Sequence, residues 1–251
     1  MADETHPPGT PTWVDLSTTD VDAGRAFYQT LFGWTNDDPA PPEYGGYSMF
    51  RKDGKLVGGS GPVMDGGHPN WTTYVRTADA ADTAQKVRDA GGEVIVEPMQ
   101  VMTSGTMAIF KDPTGAYFGV WQNGDHTGAE LFNAPGALTW NELGTRDVEA
   151  ATRFYGAIFG WTAKGENNYV QWQLGDKTVA GCDDMNARQM PESIPAHWLV
   201  YFAVTNSDES AEKVKELGGT VNMPPMDIPG MGRFAVVADP QGAVFALFSP
   251  S

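Results

Sequence analysis

Two acidic side chains occupy equivalent places in the chain, each two residues after a tryptophan. Asp15 follows Trp13, and Glu142 follows Trp140. Both segments alternate, so each acid shares one face of a predicted strand with its tryptophan and would be partly withdrawn from water. A carboxyl in such surroundings can act as a general acid or base, or it can pair with a cationic ligand. The alternative is a structural role, in which each acid caps neighbouring backbone or pairs with a basic group such as Arg76.

Both acids lie in a segment that occurs twice. Trp13–Trp34 recurs 127 positions later as Trp140–Trp161, and eleven of the 22 aligned positions are identical. Self-similarity at a fixed offset is typical of a duplicated structural unit. Any site that one repeat builds is therefore expected to exist twice.

Each copy of this segment predicts a strand, a turn and a helix. Asp20 is a good residue to cap the helix N-terminus, and Gly33 fits the left-handed residue that ends a helix. A second strand and helix follow in each repeat, and Asp112-Pro113-Thr114-Gly115 predicts a tight turn before the last strand. The aromatic residues on or at the end of the first helix are assigned to the core: Phe27, Trp34, Phe154 and Trp161.

The composition indicates a globular protein and excludes several classes. Hydrophobic residues make up 41% and charged residues 19%, and the formal net charge is −16. An acidic chain with no basic stripe is not suited to the nucleic-acid backbone, although it is compatible with a cationic ligand. Cys182 is the single cysteine, so no intramolecular disulfide can form. Neither a signal peptide nor a transmembrane stretch is evident, and a cytoplasmic location is expected.

The repeat favours two domains joined by a linker. Residues 1–10 are predicted to be a disordered tail, 11–122 the first domain, 123–138 the linker and 139–251 the second domain. Two tandem domains imitate a dimer, so a monomer with an internal pseudo-dimer is expected, with a homodimer as the alternative.

The order of these motifs resembles the vicinal oxygen chelate superfamily, the glyoxalase, bleomycin resistance protein and dioxygenase group. The resemblance lies in a strand, an Asp, a Phe-Tyr helix ending in Phe-Gly-Trp, an Ala-Gly-Gly helix end and Asp-Pro-x-Gly before the last strand. It is closest to tandem glyoxalase-like proteins of actinobacterial type. It implies an α+β fold, in which four βαβββ modules form two cup-shaped mixed sheets with helices on the outer face.

Many members of this superfamily hold a divalent ion inside the cup with His, Gln or Glu ligands. The resemblance places the three ligand positions of each repeat at residues that offer no such group: Trp13, Thr72 and Gly119, and then Trp140, Leu199 and Ala246. The histidines do not supply replacements, since His6 falls in the tail, His126 in the linker, and His68 and His197 at loop edges on the surface. We therefore expect no metal and no other cofactor, although a rebuilt site using Asp15 or Glu142 stays open.

Alternation also predicts which side chains share the face that holds the metal in those relatives, here called the inner face. In the first repeat these are Trp13, Asp15, Ser17, Tyr74, Arg76, Tyr117 and Trp121, and in the second Trp140, Glu142, Tyr201, Val244 and Phe248. Aromatic rings with a few polar groups suit a flat organic ligand held by stacking. The alternative is that the tryptophans are core residues filling the space of a lost metal.

The sequence is compatible with three functions. The first is a metal-independent protein that binds a small aromatic or cationic molecule for sequestration, carriage or resistance. The second is a metal-free enzyme, hydroxylase-like or of cyclisation type, with Asp15 or Glu142 as the acid or base. The third is a metal-dependent lyase or dioxygenase of glyoxalase type. Whether the protein is an enzyme is left open by the sequence.

Overall fold

The computed structural model describes residues 6–41, 45–64, 66–165 and 169–251, and in these ranges the fold is α+β. They form four helices and two eight-stranded mixed sheets, which confirms the predicted fold class. The helices are α1 (Val21–Phe32), α2 (Ala80–Asp89), α3 (Val148–Phe159) and α4 (Ser207–Glu216). The strands of the first sheet are β1 (Pro11–Thr18), β2 (Thr35–Asn36), β3 (Ser48–Lys52), β4 (Lys55–Pro62), β5 (Asn70–Thr77), β6 (Glu93–Val101), β7 (Gly105–Lys111) and β8 (Tyr117–Asn123). Those of the second are β9 (Leu138–Thr145), β10 (Thr162–Lys164), β11 (Tyr169–Leu174), β12 (Lys177–Asp184), β13 (His197–Ala203), β14 (Thr220–Ile228), β15 (Gly232–Ala238) and β16 (Val244–Pro250).

The strand order repeats between the sheets. It is β2-β3-β4-β1-β5-β8-β7-β6 in the first and β10-β11-β12-β9-β13-β16-β15-β14 in the second. Each module is a strand, a helix and three antiparallel strands, and its last strand returns parallel to its first. In this way β4 lies beside β1 with Asp15 opposite Gly59, and β8 lies beside β5 with Tyr74 opposite Gly119. The sequence predicts hairpins about Lys52-Asp53-Gly54 and Gly175-Asp176. The structure confirms both, since β3 pairs antiparallel with β4 and β11 with β12.

The predicted helix ends are also confirmed. The Asp20 carboxylate accepts a hydrogen bond from the Ala23 N–H, and Asp147 does the same for Ala150 in α3. Gly33 ends α1 with a φ of 69°, a left-handed conformation that a side chain disfavours. No helix within the described ranges is both long and apolar enough to cross a membrane.

The chain forms two compact units that do not follow the repeats. Within the described ranges, unit 1 contains residues from 6–13, 73–128 and 141–198, and unit 2 contains residues from 14–72, 129–140 and 199–251. Each unit therefore combines one module of the first repeat with one module of the second. The predicted domain boundaries follow the repeats and stay a proposal.

A buried hydrogen-bond relay lies at the centre of unit 2. Tyr28 on α1 donates its phenol proton to Asp239 Oδ2 at 3.0 Å, and its oxygen accepts from Trp71 Nε1 at 2.9 Å. The other oxygen of Asp239 accepts the backbone N–H groups of the Asp-Pro-x-Gly turn that it begins. Phe27 and Trp34 pack around the relay with 4% and 3% of their surface exposed, as predicted.

Unit 1 contains the equivalent relay. Tyr155 on α3 donates to Asp112 Oδ2 at 2.9 Å and accepts from Trp198 Nε1 at 2.9 Å. Phe154 and Trp161 are core residues here, as predicted. The Phe-Tyr and Asp-Pro-x-Gly motifs thus meet across the repeats, with the helix from one repeat and the turn from the other.

The N-terminal segment is hydrogen-bonded from Gly9 onward. The Gly9 N–H donates to the Arg76 carbonyl, and the Arg76 N–H donates to the Thr10 carbonyl, each at 2.8 Å. The Gly9 carbonyl accepts from Trp161 Nε1. Residues 1–5 of the predicted tail lie outside the described ranges.

Candidate ligand-binding site

An aromatic cluster in unit 1 contains two of the predicted residues, Trp13 and Trp121. They are 2% and 7% exposed. The ring of His126 lies between them, with its centroid 4.4 Å from that of Trp13 and 5.4 Å from that of Trp121, both edge to face. Trp121 Nε1 donates to the His126 carbonyl at 2.8 Å. His126, which was predicted to fall in the linker, is half-buried against the inner face of the first repeat.

Tyr74 occupies the space above Gly119, the third of the metal-ligand positions in the first repeat. A Cβ atom built on Gly119 would lie 2.4 Å from Tyr74 Cδ1, well inside van der Waals contact. A glutamate side chain at this position would have to pass through the buried Tyr74 ring. The residues of this repeat therefore do not fit the ion that many members of the superfamily bind.

The described residues show no substitute cluster of metal ligands. No group of three or more His, Cys, Asp or Glu side chains in those ranges is arranged to hold an ion. His68 is exposed, as predicted. His197 is half-buried as the first residue of β13, with Nδ1 2.9 Å from the Pro195 carbonyl oxygen.

The other two predicted residues of this repeat in unit 1 differ in their surroundings. The Arg76 guanidinium donates to the His6 carbonyl, so it ties the N-terminal segment to β5. Tyr117 begins β8 and is 51% exposed, with the Lys111 ammonium 5.6 Å from its ring centroid. The structure places Tyr117 at an exposed end of the strand, away from buried Trp121 at its other end.

Asp15, the predicted acid of the first repeat, lies in unit 2 and accepts a short hydrogen bond. The Tyr47 hydroxyl donates to Asp15 Oδ1 at 2.6 Å. The phenol crosses directly over Gly59, where a Cβ would lie 1.8 Å from the Tyr47 oxygen. Gly59 is therefore required for this pair to form. The two side chains are only partly buried, so the pair is within reach of solvent or a small molecule.

Glu142, the corresponding acid of the second repeat, lies on β9 in unit 1. It is partly buried and stands opposite Gly181 of β12. Burial, and secondly the negative charge of Glu142, raise the pKa of the adjacent Cys182 thiol. Cys182 is fully buried and stays protonated, so it has no nucleophilic character.

The inner face of the second repeat forms an aromatic surface within unit 2. Its floor consists of Leu199, Tyr201 and Ala246, which are at most 8% exposed. Partly exposed side chains pack against this floor, and we call the whole set the aromatic surface: Trp140, Leu199, Tyr201, Phe234, Val236, Ala246 and Phe248. The Phe234 and Tyr201 rings are 6.2 Å apart and inclined by 33°. Three of the predicted ligand-binding residues are thus brought together here.

Sequence reasoning missed Tyr47, Phe234 and His126. The repeat contained a signal for the first two, because Tyr47 matches Tyr169 at the offset of 122 that applies near the hairpins, and Phe234 matches Met107 at 127. Met226 lies opposite Phe234 on the edge strand and is 47% exposed. His126 has no counterpart in the repeat pattern that would have drawn attention to it.

The fold and the inner face together define a member of a family of duplicated βαβββ proteins. The sequence matches the glyoxalase/bleomycin resistance protein/dioxygenase superfamily over residues 10–120 and again over 137–247, and the chain belongs to that superfamily.

Its relatives include three actinobacterial proteins of similar length. CFP32 of Mycobacterium tuberculosis, provisionally named a glyoxylase, is 42% identical over 254 residues, covering 97% of this chain and 95% of its own. DnrV of Streptomyces peucetius and DauV of Streptomyces sp. strain C5, both named anthracycline biosynthesis proteins, are 40% and 39% identical. Each of these two alignments covers 96% of this chain and 93% of the relative.

Solved structures share the fold at low sequence identity. The Mn(II)-bound glyoxalase from Novosphingobium aromaticivorans superimposes with a TM-score of 0.66 at 16% identity, covering 96% of this chain and 82% of its own. The 2,3-dioxygenase LapB from Pseudomonas sp. KL28 gives a TM-score of 0.66 at 13% identity, covering 98% and 93%.

Proposed function

We propose that this protein binds a planar, polycyclic aromatic molecule on its inner face without using a metal ion. One observation carries the proposal: the aromatic surface of unit 2 presents partly exposed rings over a buried floor. Offset and edge-to-face contacts between aromatic rings contribute roughly 0.5–1.5 kcal/mol each, in addition to the free energy gained by burying apolar surface. Two or three such contacts add about 1–4.5 kcal/mol to the free energy gained by burying the ligand's rings, and micromolar binding requires about 8 kcal/mol in total.

The residues at the former ligand positions support the metal-independent part of the proposal. Ala246 forms part of the floor where a carboxylate ligand would stand in the second repeat. In the first repeat, Tyr74 fills the space above Gly119. Both positions contribute apolar contact area and no ligand atom.

The relatives support the chemical class of the ligand. Two of them, DnrV and DauV, are named for anthracycline biosynthesis, and anthracyclines contain a planar system of fused rings. The net charge of −16 favours ligands that also carry an amine. We therefore assign this protein a role in sequestering or carrying such a compound, or in resistance to it.

A titration of intrinsic tryptophan fluorescence tests the proposal. The probes are quinizarin, a neutral planar anthraquinone, and proflavine, a planar cation. The matched control is cholate, which has fused rings of similar size but no aromatic face. We expect saturable quenching with micromolar Kd for at least one planar probe and affinity at least about tenfold weaker for cholate. Equal affinity for all three compounds, or no saturable binding, contradicts the proposal.

The short Tyr47–Asp15 hydrogen bond favours a second function, a metal-free enzyme. A carboxylate paired with a phenol and partly open to solvent can take and return a proton during ring closure or enolisation. The test incubates an aromatic polyketide with the protein and follows the products by mass spectrometry. Loss of turnover with retained binding in Asp15→Asn, and not in Glu142→Gln, supports this function. Unchanged compound after prolonged incubation with the wild-type protein contradicts it for that substrate.

A metal-dependent lyase, which the provisional name of CFP32 suggests, fits the described residues least well because the ligand positions hold no ligand groups. Elemental analysis of the purified protein tests this function. One divalent ion per chain that survives dialysis would support it, and substoichiometric metal would contradict it.

A further inference from the structure

Positions of the two repeats that match at an offset of 127 have different surroundings on the inner face. Trp13 and Trp121 of the first repeat correspond to Trp140 and Phe248 of the second. The first pair is 2% and 7% exposed, whereas Trp140 and Phe248 both remain partly exposed. Since both repeats carry aromatic residues at these positions, we attribute the difference in exposure to what covers them.

In the first repeat, the cover is a ring supplied by the chain itself. The His126 ring lies edge to face against both tryptophans, at centroid distances of 4.4 and 5.4 Å. Its backbone is fixed on both sides, because its N–H donates to the Ser104 carbonyl at 3.0 Å and its carbonyl accepts from Trp121 Nε1 at 2.8 Å. His126 therefore occupies this face as a built-in aromatic group held in place by the fold.

The arrangement in the first repeat shows what this surface accepts. A flat ring of aromatic size fits between the residues at 13 and 121, in the edge-to-face geometry that aromatic pairs prefer. The second repeat presents the same tryptophan, a phenylalanine in place of the second tryptophan, and an additional ring at Phe234 where the first repeat has Met107. At these three matched positions the second repeat therefore has three partly exposed rings, whereas the first has two buried rings and a partly exposed methionine.

We propose that the second repeat is the binding copy, which takes one planar aromatic molecule per chain, while His126 fills the equivalent face of the first repeat. This inference rests on the proposed function and specifies which of the two copies performs it. The ligand packs against Trp140, Phe234 and Phe248 above the Tyr201 floor.

Calorimetric titration of the full chain with quinizarin and proflavine tests the inference through stoichiometry and matched variants. The wild-type protein is expected to bind one molecule per chain. Phe234→Ala and Phe248→Ala are expected to raise Kd by about tenfold, the loss of one or two ring contacts. Met107→Ala, the matched change at the first-repeat position equivalent to 234, is expected to change Kd by less than about twofold. The urea midpoint of each variant, measured beside the wild type, separates a loss of binding from a loss of folding.

The variant His126→Gly gives an independent measurement because it uncovers the first repeat without touching the second. We expect the stoichiometry to rise from one to two, with the original affinity retained at one site. Two outcomes overturn the assignment to the second repeat and leave the proposed function intact. One is two sites of equal affinity in the wild type. The other is a tenfold loss of affinity in Met107→Ala with no loss of affinity in the two phenylalanine variants. Failure of both probes to bind the wild-type protein refutes the proposed function itself, and the inference with it.

Discussion

Removing a single phenol oxygen from the relay of unit 2 is expected to destabilise the protein strongly. In Tyr28→Phe the ring keeps its place in the core, but Asp239 loses a donor at 3.0 Å and the Trp71 indole loses its acceptor at 2.9 Å. Tyr28 is fully buried, and burial together with the Asp239 charge holds the pKa of its phenol far above the ordinary value, so the phenol stays a donor. One hydrogen bond to a charged group and one neutral hydrogen bond together contribute roughly 2–4 kcal/mol.

The assay is urea unfolding followed by circular dichroism and by tryptophan fluorescence. Tyr28→Phe is expected to lower the free energy of unfolding by about 2–4 kcal/mol, and Tyr155→Phe, its equivalent in unit 1, by a similar amount. The control is Tyr117→Phe, which removes a hydroxyl from a ring that is 51% exposed and should change stability by less than about 0.5 kcal/mol. If Tyr28→Phe lowers the free energy of unfolding no more than this control does, the hydrogen-bond relay does not stabilise unit 2.

Three further predictions concern other described residues. Gly59→Ala places a Cβ 1.8 Å from the Tyr47 oxygen, so it should displace Tyr47 from Asp15 and lower the free energy of unfolding by roughly 1–3 kcal/mol; a crystal structure with Tyr47 still on Asp15 would contradict this. Burial raises the pKa of Asp239 above 3.8, so the folded state binds more protons than the unfolded state and stability falls as pH rises from about 3.8 through the folded pKa. Asp239→Asn should remove that part of the pH dependence in urea midpoints, and an unchanged slope would count against it. Cys182 is fully buried with a raised thiol pKa, so Ellman's reagent should label it only at the rate of unfolding; fast labelling of the native protein would show that it is accessible.

Local structure could be predicted because its signals lie close together in the chain. The caps of α1 and α3, the hairpins and the Asp-Pro-x-Gly turns all depend on residues within about five positions of one another. The duplication added certainty, since each element was seen twice. The superfamily and the α+β class followed from the order of these elements.

Contacts between distant residues could not be predicted in this way. Tyr28 and Asp239 are 211 positions apart in the sequence, and no local pattern around either residue indicates that they form a hydrogen bond. Alternation along a strand predicts which face of the sheet a side chain lies on. It does not predict whether that part of the face is buried or exposed. Both Trp121 and Tyr117 were predicted for the same face, but the structure buries Trp121 and exposes Tyr117, and alternation could not distinguish them.

The sequence predicted which types of residue line the inner face, but only part of how those residues pack against one another. The aromatic residues Trp140, Tyr201 and Phe248 do gather in one cluster. His126 enters the first repeat from a segment without periodicity, where sequence patterns give no information on packing. The different surroundings of the two repeats therefore became evident only from the structure.

Calorimetry on chelator-treated protein shows whether the inner face binds a planar aromatic molecule without a metal ion. Quinizarin and proflavine are titrated into the wild-type chain after exhaustive dialysis against EDTA, and again after addition of Mn²⁺. We expect saturable, micromolar binding of a planar probe to the metal-free protein, with Kd unchanged within about twofold by the ion. Binding that appears only after Mn²⁺ is added, or no binding in either state, would contradict this expectation.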